Sequence, residues 1–248
     1  MKLYNFTNID FVTESAPLAS GEEFCFDCNN DCKCFGDCCR KAFVFLTPFD
    51  IIKMKKQLGI SSSEFLEKYT AMPSSSEFPF PALMLRNENE QCLMIDGDVC
   101  SVWDARPLAC RMYPLAILPE NSKFHLMTDD FCEGHLSRMA TTAGHWIEKN
   151  KAAKHIESYK AFFNIVSDSR FDERTIEPVK LEMFYMASYD IDRFREFVFD
   201  SIFLQRIQLS EDEILEYRTD DEKLLAFAMK WIEKELLGIN PSEKKENA

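Results

Sequence analysis

The chain has 248 residues, 46% hydrophobic and 29% charged, enough for a buried core in one large or two small domains and unlike a low-complexity or collagen-like chain. Its formal charge of −13 is spread evenly, with 19 acidic against 12 basic residues up to Cys132 and 23 against 17 beyond, and Lys53-Met54-Lys55-Lys56 is the longest basic run. That argues against nucleic acid and anionic membranes as partners, because phosphate neutralisation needs a clustered basic surface, and leaves an unidentified protein partner open.

Residues 1–21 show no clear periodicity and no apolar signal-peptide core, and nowhere does an apolar run approach the roughly 18 residues of a spanning helix, so a cytoplasmic protein is expected. All ten cysteines lie between Cys25 and Cys132, and the last 116 residues have none. In a reducing cytosol such a pattern points to metal or catalysis, with a disulfide-bonded extracytoplasmic protein as the weaker reading. Between Cys25 and Arg40 six cysteines alternate with Asn, Asp and Gly and too few aliphatic residues to form a core; metal binding can organise such a loop.

Thr47-Pro48-Phe49-Asp50 predicts a capped helix that Gly59 closes, with Ile51, Met54 and Leu58 on one face, and Ser61-x-x-Glu64 predicts a second, short helix. Leu83–Leu85 and Cys92–Ile95 read as the two strands of a hairpin, with a turn at Asp96-Gly97-Asp98. Residues 115–118 and 123–128, bridged by Pro119–Ser122, read as another. Beyond Cys132 the chain reads helical: Trp146, Ala153, Ile156, Tyr159 and Phe163 recur after a cap near Thr141 or Thr142, and a helix begins near Asp190. Ser210-x-x-Glu213 and Thr219-x-x-Glu222 are two capping boxes, the second opening a helix that stops at Gly238.

The chemistry lies in the cysteines. Cys28-x5-Cys34-x3-Cys38-Cys39 is followed by Cys92, Cys100, Cys110 and Cys132, eight thiols that can form two mononuclear sites, two clusters or one larger polynuclear centre. Adjacent Cys38 and Cys39 more easily serve two metals than one tetrahedral ion, which favours an iron-sulfur cluster over zinc. Arg40, Lys41, Arg106 and Arg111 sit beside cysteines and can offset thiolate charge. The C-x3-C-x2-C pattern of radical enzymes that use S-adenosylmethionine fails, since Phe35 follows Cys28-x3-Cys32 and Lys41 follows Cys34-x3-Cys38 where cysteine is needed. No glycine-rich nucleotide loop, H-E-x-x-H or G-x-S-x-G occurs. His125, His135, His145 and His155 recur every ten residues, which is not a helical period, and of these only His135 lies near the cysteines in sequence.

These residues resemble the YkgJ or CxxCxxCC family of cysteine-cluster proteins, described as zinc- or iron-chelating. The matching elements are Phe26-x-Cys28-x5-Cys34-Phe35-x2-Cys38-Cys39-Arg40, Leu46-Thr47-Pro48-Phe49-Asp50-Ile51, Leu58-Gly59-Ile60-Ser61, Cys92, Cys100, Arg106-Pro107-x2-Cys110-Arg111-x-Tyr113-Pro114 and Phe131-Cys132-x-Gly134, over roughly residues 24–134. The resemblance implies metal chelation without a defined reaction. Flagellin lysine-N-methylase is distantly similar in cysteine pattern, which makes a cluster-dependent methyltransferase or electron-transfer protein one alternative; a zinc-stapled interaction module is another. Cys25 and Cys32 are additional to the short family motif.

The expectation is an α+β, predominantly helical protein: an N-terminal segment at 1–21, a cysteine-cluster metal-binding module with short β-hairpins at 22–135, a helical domain at 136–240 and a tail at 241–248. The expected metal ligands are Cys28, Cys34, Cys38, Cys39, Cys92, Cys100, Cys110 and Cys132. The sequence does not decide whether the protein is an enzyme.

Overall fold

The computed structural model describes residues 17–29, 31–41, 44–72, 82–89, 91–97, 99–118, 123–128, 130, 132–168, 171, 176–200, 202–205, 207 and 209–238. The fold is α+β and mostly helical, with strands of two to four residues. It divides into two compact units that the chain enters more than once: residues 1–46 with 84–157, and residues 47–83 with 158–248. This division departs from the boundary at 135/136 read from the sequence. Helices Pro48–Leu58 and Ser62–Tyr69 belong to the cysteine-free unit, and residues 136–157 belong with the cysteines. Among the described residues no helix is long and apolar enough to cross a membrane.

In the cysteine-bearing unit, Leu115–Leu118 and Lys123–Leu126 pair antiparallel as the expected hairpin, and Pro17–Leu18 adds to the outer edge, Pro17 opposite His125. The bridging residues 119–122 lie outside the described residues. Glu23–Cys25 pairs with Ala140–Thr142, setting Cys25 opposite Ala140 and Phe24 opposite Thr141. The single hairpin expected over residues 83–95 is instead two tighter ones. Asn87–Glu88 pairs with Gln91–Cys92 and Ile95–Asp96 with Val99–Cys100, because the chain turns at Asn89 (φ 50°) and again at Gly97 (φ 62°). Thr142 caps helix Ala143–Lys149 by accepting the His145 N–H at 3.2 Å. The continuous helix read from Trp146 to Phe163 breaks at Lys151 (φ 53°), and Ala153–Val166 follows.

The other unit is helical. Helix Pro48–Leu58 begins with the expected capping box: Asp50 N–H donates to Thr47 Oγ1 at 3.1 Å and Thr47 N–H to the Asp50 carboxylate at 2.9 Å. It ends at Gly59 in the left-handed region (φ 68°). Ser210 and Glu213 form the second box, before helix Glu211–Thr219. The helix Asp221–Trp231 is capped by Asp220, whose carboxylate accepts from the N–H groups of Glu222 and Lys223, and not by Thr219, whose hydroxyl donates instead to the carbonyl of Leu215. The helix Pro178–Tyr189, absent from the sequence reading, opens with proline in its first turn. Phe194, Phe197, Phe203 and Trp231 form the aromatic core, with Phe194 and Trp231 ring centroids 5.6 Å apart.

A buried charge network ties four of these helices together. Lys55 is 7% exposed, and its Nζ lies 2.8 Å from Asp192 Oδ1 and 2.9 Å from Asp221 Oδ2. Arg195 bonds both carboxylates in turn. Asp192 also accepts the Ser62 N–H at 2.7 Å, satisfying a first-turn donor of helix Ser62–Tyr69. Burial pushes the Asp192 carboxyl up, but Lys55, the Ser62 N–H and Arg195 outweigh it and hold the group below the ordinary carboxylate range. Replacing Asp192→Ala strands Lys55 beside a depleted partner set and is expected to cost about 3 kcal/mol, read as a lower urea midpoint. The depressed carboxyl stabilises the wild-type fold fully above the unfolded value of about 4 and ceases to do so as pH falls through the lower folded value. Thermal melts from pH 7 down to pH 3 are therefore expected to show a steeper acid-side loss in wild type than in Asp192→Ala.

Candidate metal centre

The first wall of the site is a run of tight turns. Asn29 Oδ1 accepts the Asp31 N–H at 2.9 Å, and i to i+3 bonds follow from Cys32 to Asn29, Phe35 to Cys32, Asp37 to Cys34, Cys39 to Gly36 and Arg40 to Asp37. Asn, Asp and Gly suit such turns, and Gly36 takes φ 83° with Arg40 Nη1 lying 3.2 Å from where a Cβ would stand. The run ends in the one-turn helix Cys38–Lys41, where the sulfurs of Cys38 and Cys39 are 4.0 Å apart.

The second wall is the 3-10 turn Glu133–Leu136, which follows Cys132. Glu133 N–H donates to Cys34 Sγ at 3.1 Å, while its carboxylate accepts the Lys33 N–H at 3.3 Å. Asp27 N–H donates to the carbonyl of Gly134 at 3.2 Å, so close an approach that a Cβ on Gly134 would stand 2.6 Å from the Phe26 ring. Phe26 is buried beneath this joint and meets Tyr113, His135 and Trp146 edge-on at 5.9, 5.1 and 5.5 Å. The remaining cysteines come from the two small hairpins, where Met94 N–H points at Cys92 Sγ (3.5 Å), and from Cys110 on the helix Leu108–Met112.

The sulfurs perturb one another. Burial, then the neighbouring Cys38, Cys32, Cys132 and Cys34, push the Cys28 thiol up to about 12. Contact with Cys39 and burial raise Cys38 further still. Burial raises Cys92 against the Met94 N–H, Cys100 against the Val102 N–H and the Arg106 charge, and Cys132 against the Tyr113 hydroxyl and the Gly134 N–H; Cys38 adds to the rise at both Cys92 and Cys100. These couplings tie Cys28 to Cys32, Cys34, Cys132 and Cys38, and Cys38 to Cys39, Cys92 and Cys100. Cys110 is linked to them through Arg106, whose guanidinium burial pulls down while Cys110, Cys100, Asp104 and Cys28 push it up.

Electrostatic coupling links Cys28 to Cys34, Cys38 and Cys132, and Cys38 to Cys92 and Cys100, and it counts Cys32, left unassigned by the sequence, among the neighbours of Cys28. Cys25 lies on the strand paired with Ala140–Thr142 and is exposed; Cys28 is exposed as a residue too, and only its sulfur is partly covered. None of the ten is in a disulfide. The histidines lie on four separate elements, and His135 serves as a ring neighbour of Phe26. Tyr113, given no role by the sequence, faces Cys132; its place in the Cys110-Arg111-x-Tyr113 run was the available signal. Among the described residues no group of three or more donor side chains is already in place to hold a single ion. The donor chemistry nevertheless fits zinc or iron: soft sulfurs with amide N–H groups aimed at them, in surroundings where thiols stay protonated until a cation displaces the proton.

No curated protein and no solved structure matches the chain, so the resemblance to flagellin lysine-N-methylase gains no support. Residues 27–133, less than half of the chain but nine of its ten cysteines, match the family model CxxCxxCC, described as a "putative zinc- or iron-chelating domain".

Proposed function

We propose that Cys28, Cys34, Cys38, Cys39, Cys92, Cys100, Cys110 and Cys132 hold a polynuclear metal centre, an iron-sulfur cluster in preference to zinc, in a reducing cytoplasmic setting. What supports this reading is the electrostatic coupling among sulfurs from separate chain segments, beside the 4.0 Å approach of Cys38 and Cys39 and the Glu133 N–H aimed at Cys34. The vicinal pair by itself does not choose the metal: sulfurs 4.0 Å apart are close to the roughly 3.8 Å edge of a tetrahedral zinc-thiolate shell. The preference for iron rests on the breadth of the sulfur array, which suits a centre larger than one ion. When bound, the metal supplies charge neutralisation and, as a cluster, electron storage. The protein supplies the amide N–H groups at Cys34, Cys92, Cys100 and Cys132 that make thiolate tenable there.

Protein purified without oxygen is expected to be brown, with iron and acid-labile sulfide by elemental analysis. Colourless protein with stoichiometric zinc would reverse the choice of metal, and metal-free protein with unchanged secondary structure would overturn the centre itself. Replacing Cys34→Ser is expected to reduce bound metal at least tenfold relative to wild type, whereas Cys25→Ser retains wild-type metal content; equal loss in both would show that the ligand set is misassigned.

A further inference from the structure

Arg106 and Arg111 flank Cys110, and the structure gives them different work. Arg111 is a clamp on the backbone: its Nε donates to the carbonyl of Arg106 at 2.9 Å, Nη1 to that of Asn150 at 2.9 Å and Nη2 to that of Asp104. Its guanidinium edge is committed to holding the cysteine-bearing turn in shape. Arg106 is held differently. Its Nη2 donates to Asn150 Oδ1 at 2.7 Å, and its guanidinium lies over the half-exposed Trp103 ring, 3.9 Å from the centroid. Its Nε is buried with no hydrogen-bond partner among the described residues. A buried donor without an acceptor is uncommon and calls for a reason. Around this guanidinium the charged or ionisable neighbours are Cys110, Cys100, Asp104 and Cys28, three of them sulfurs.

We propose that Arg106 is a positioning residue of the metal centre, its charge offsetting the thiolates of Cys28, Cys100 and Cys110 and its orphaned Nε–H reserved for a ligand sulfur, with Trp103 and Asn150 fixing its plane. This rests on the thiolate reading above and extends it to the charge balance of the site. A thiolate that accepts this N–H is a weaker electron donor to its metal, so the arginine sets affinity and thiolate-to-metal charge transfer together. The planar fork matters because it stacks on Trp103 and bonds Asn150 at once.

The test titrates wild type, Arg106→Gln, Arg106→Lys and Arg111→Lys anaerobically with zinc alone against a competing chelator, and with cobalt alone to read the sulfur-to-cobalt charge-transfer band, after circular dichroism of each apo protein. Arg106→Gln is expected to weaken zinc binding by about tenfold or more and to move the band, and Arg106→Lys to recover most of the affinity through its charge. Arg111→Lys is expected to lower the melting temperature, since one ammonium cannot hold three carbonyls. Should Arg106→Gln fail to fold, Asn150→Ala replaces it, and a shifted band with the charge retained is the expected result. Zinc affinity of Arg106→Gln within about threefold of wild type, no gain from Arg106→Lys, or an unmoved band in Asn150→Ala would each overturn the proposal. If wild type binds neither zinc nor cobalt through sulfur, the metal-centre reading falls and this one with it; normal wild-type binding beside indifferent variants removes Arg106 alone.

Discussion

Thiols crowded in a partly buried space cannot ionise together without a cation. At Cys28 and Cys38 that constraint is already severe, because burial and neighbouring sulfurs act in the same direction. The surrounding structure is arranged against it: amide N–H groups face Cys34 and Cys92, a tyrosine hydroxyl faces Cys132, and a guanidinium lies among three sulfurs. On the proposed ligand set these donors carry too little charge to neutralise eight thiolates, which is the deficit a bound metal would fill. The loop from Asp27 to Lys41 has no aliphatic core to fall back on, and its turns are held by backbone bonds, by Asn29 and by the Glu133 contacts to Lys33 and Cys34.

The second unit solves the opposite problem by the opposite means. It is cysteine-free, its aromatic core is dense, and its buried cation Lys55 is met by two carboxylates at under 3 Å. Charge there is balanced within the protein, whereas the proposed centre would balance it with an external ion.

Much of the helical structure was legible because its signals are local. Thr47 to Gly59 and Ser210-x-x-Glu213 carry their caps within a few residues, and the structure reproduces both. The cysteine spacing likewise picked out the stretch that matches the chelating-domain model. What escaped is non-local or rests on a single dihedral. Lys151 at φ 53° splits a helix whose apolar period runs through the break, and Asn89 and Gly97 fold one expected hairpin into two. Asp220 displaces Thr219 as a cap because either side chain could reach the same donors. The different duties of Arg106 and Arg111 depend on Asn150, some forty residues away in sequence, which no local pattern announces. The interleaving of the two units is invisible for the same reason: helix 48–58 looks like a continuation of the cysteine loop until long-range packing assigns it elsewhere.

That interleaving carries an entropic consequence. Cys39 and Cys92 are 53 positions apart, yet Leu85 N–H donates to the carbonyl of Val44 at 2.8 Å, so the excursion between them leaves and returns at one point. Once this bond forms, the free path between the two sulfurs shrinks to about a dozen residues, and closing it around a metal saves about 1 kcal/mol of chain entropy. The small backbone bridge at Val44 and Leu85 thus acts as a shortcut for ligand assembly. On the proposed ligand set, a long, helix-bearing insertion then sits between Cys39 and Cys92 at little expense to metal affinity.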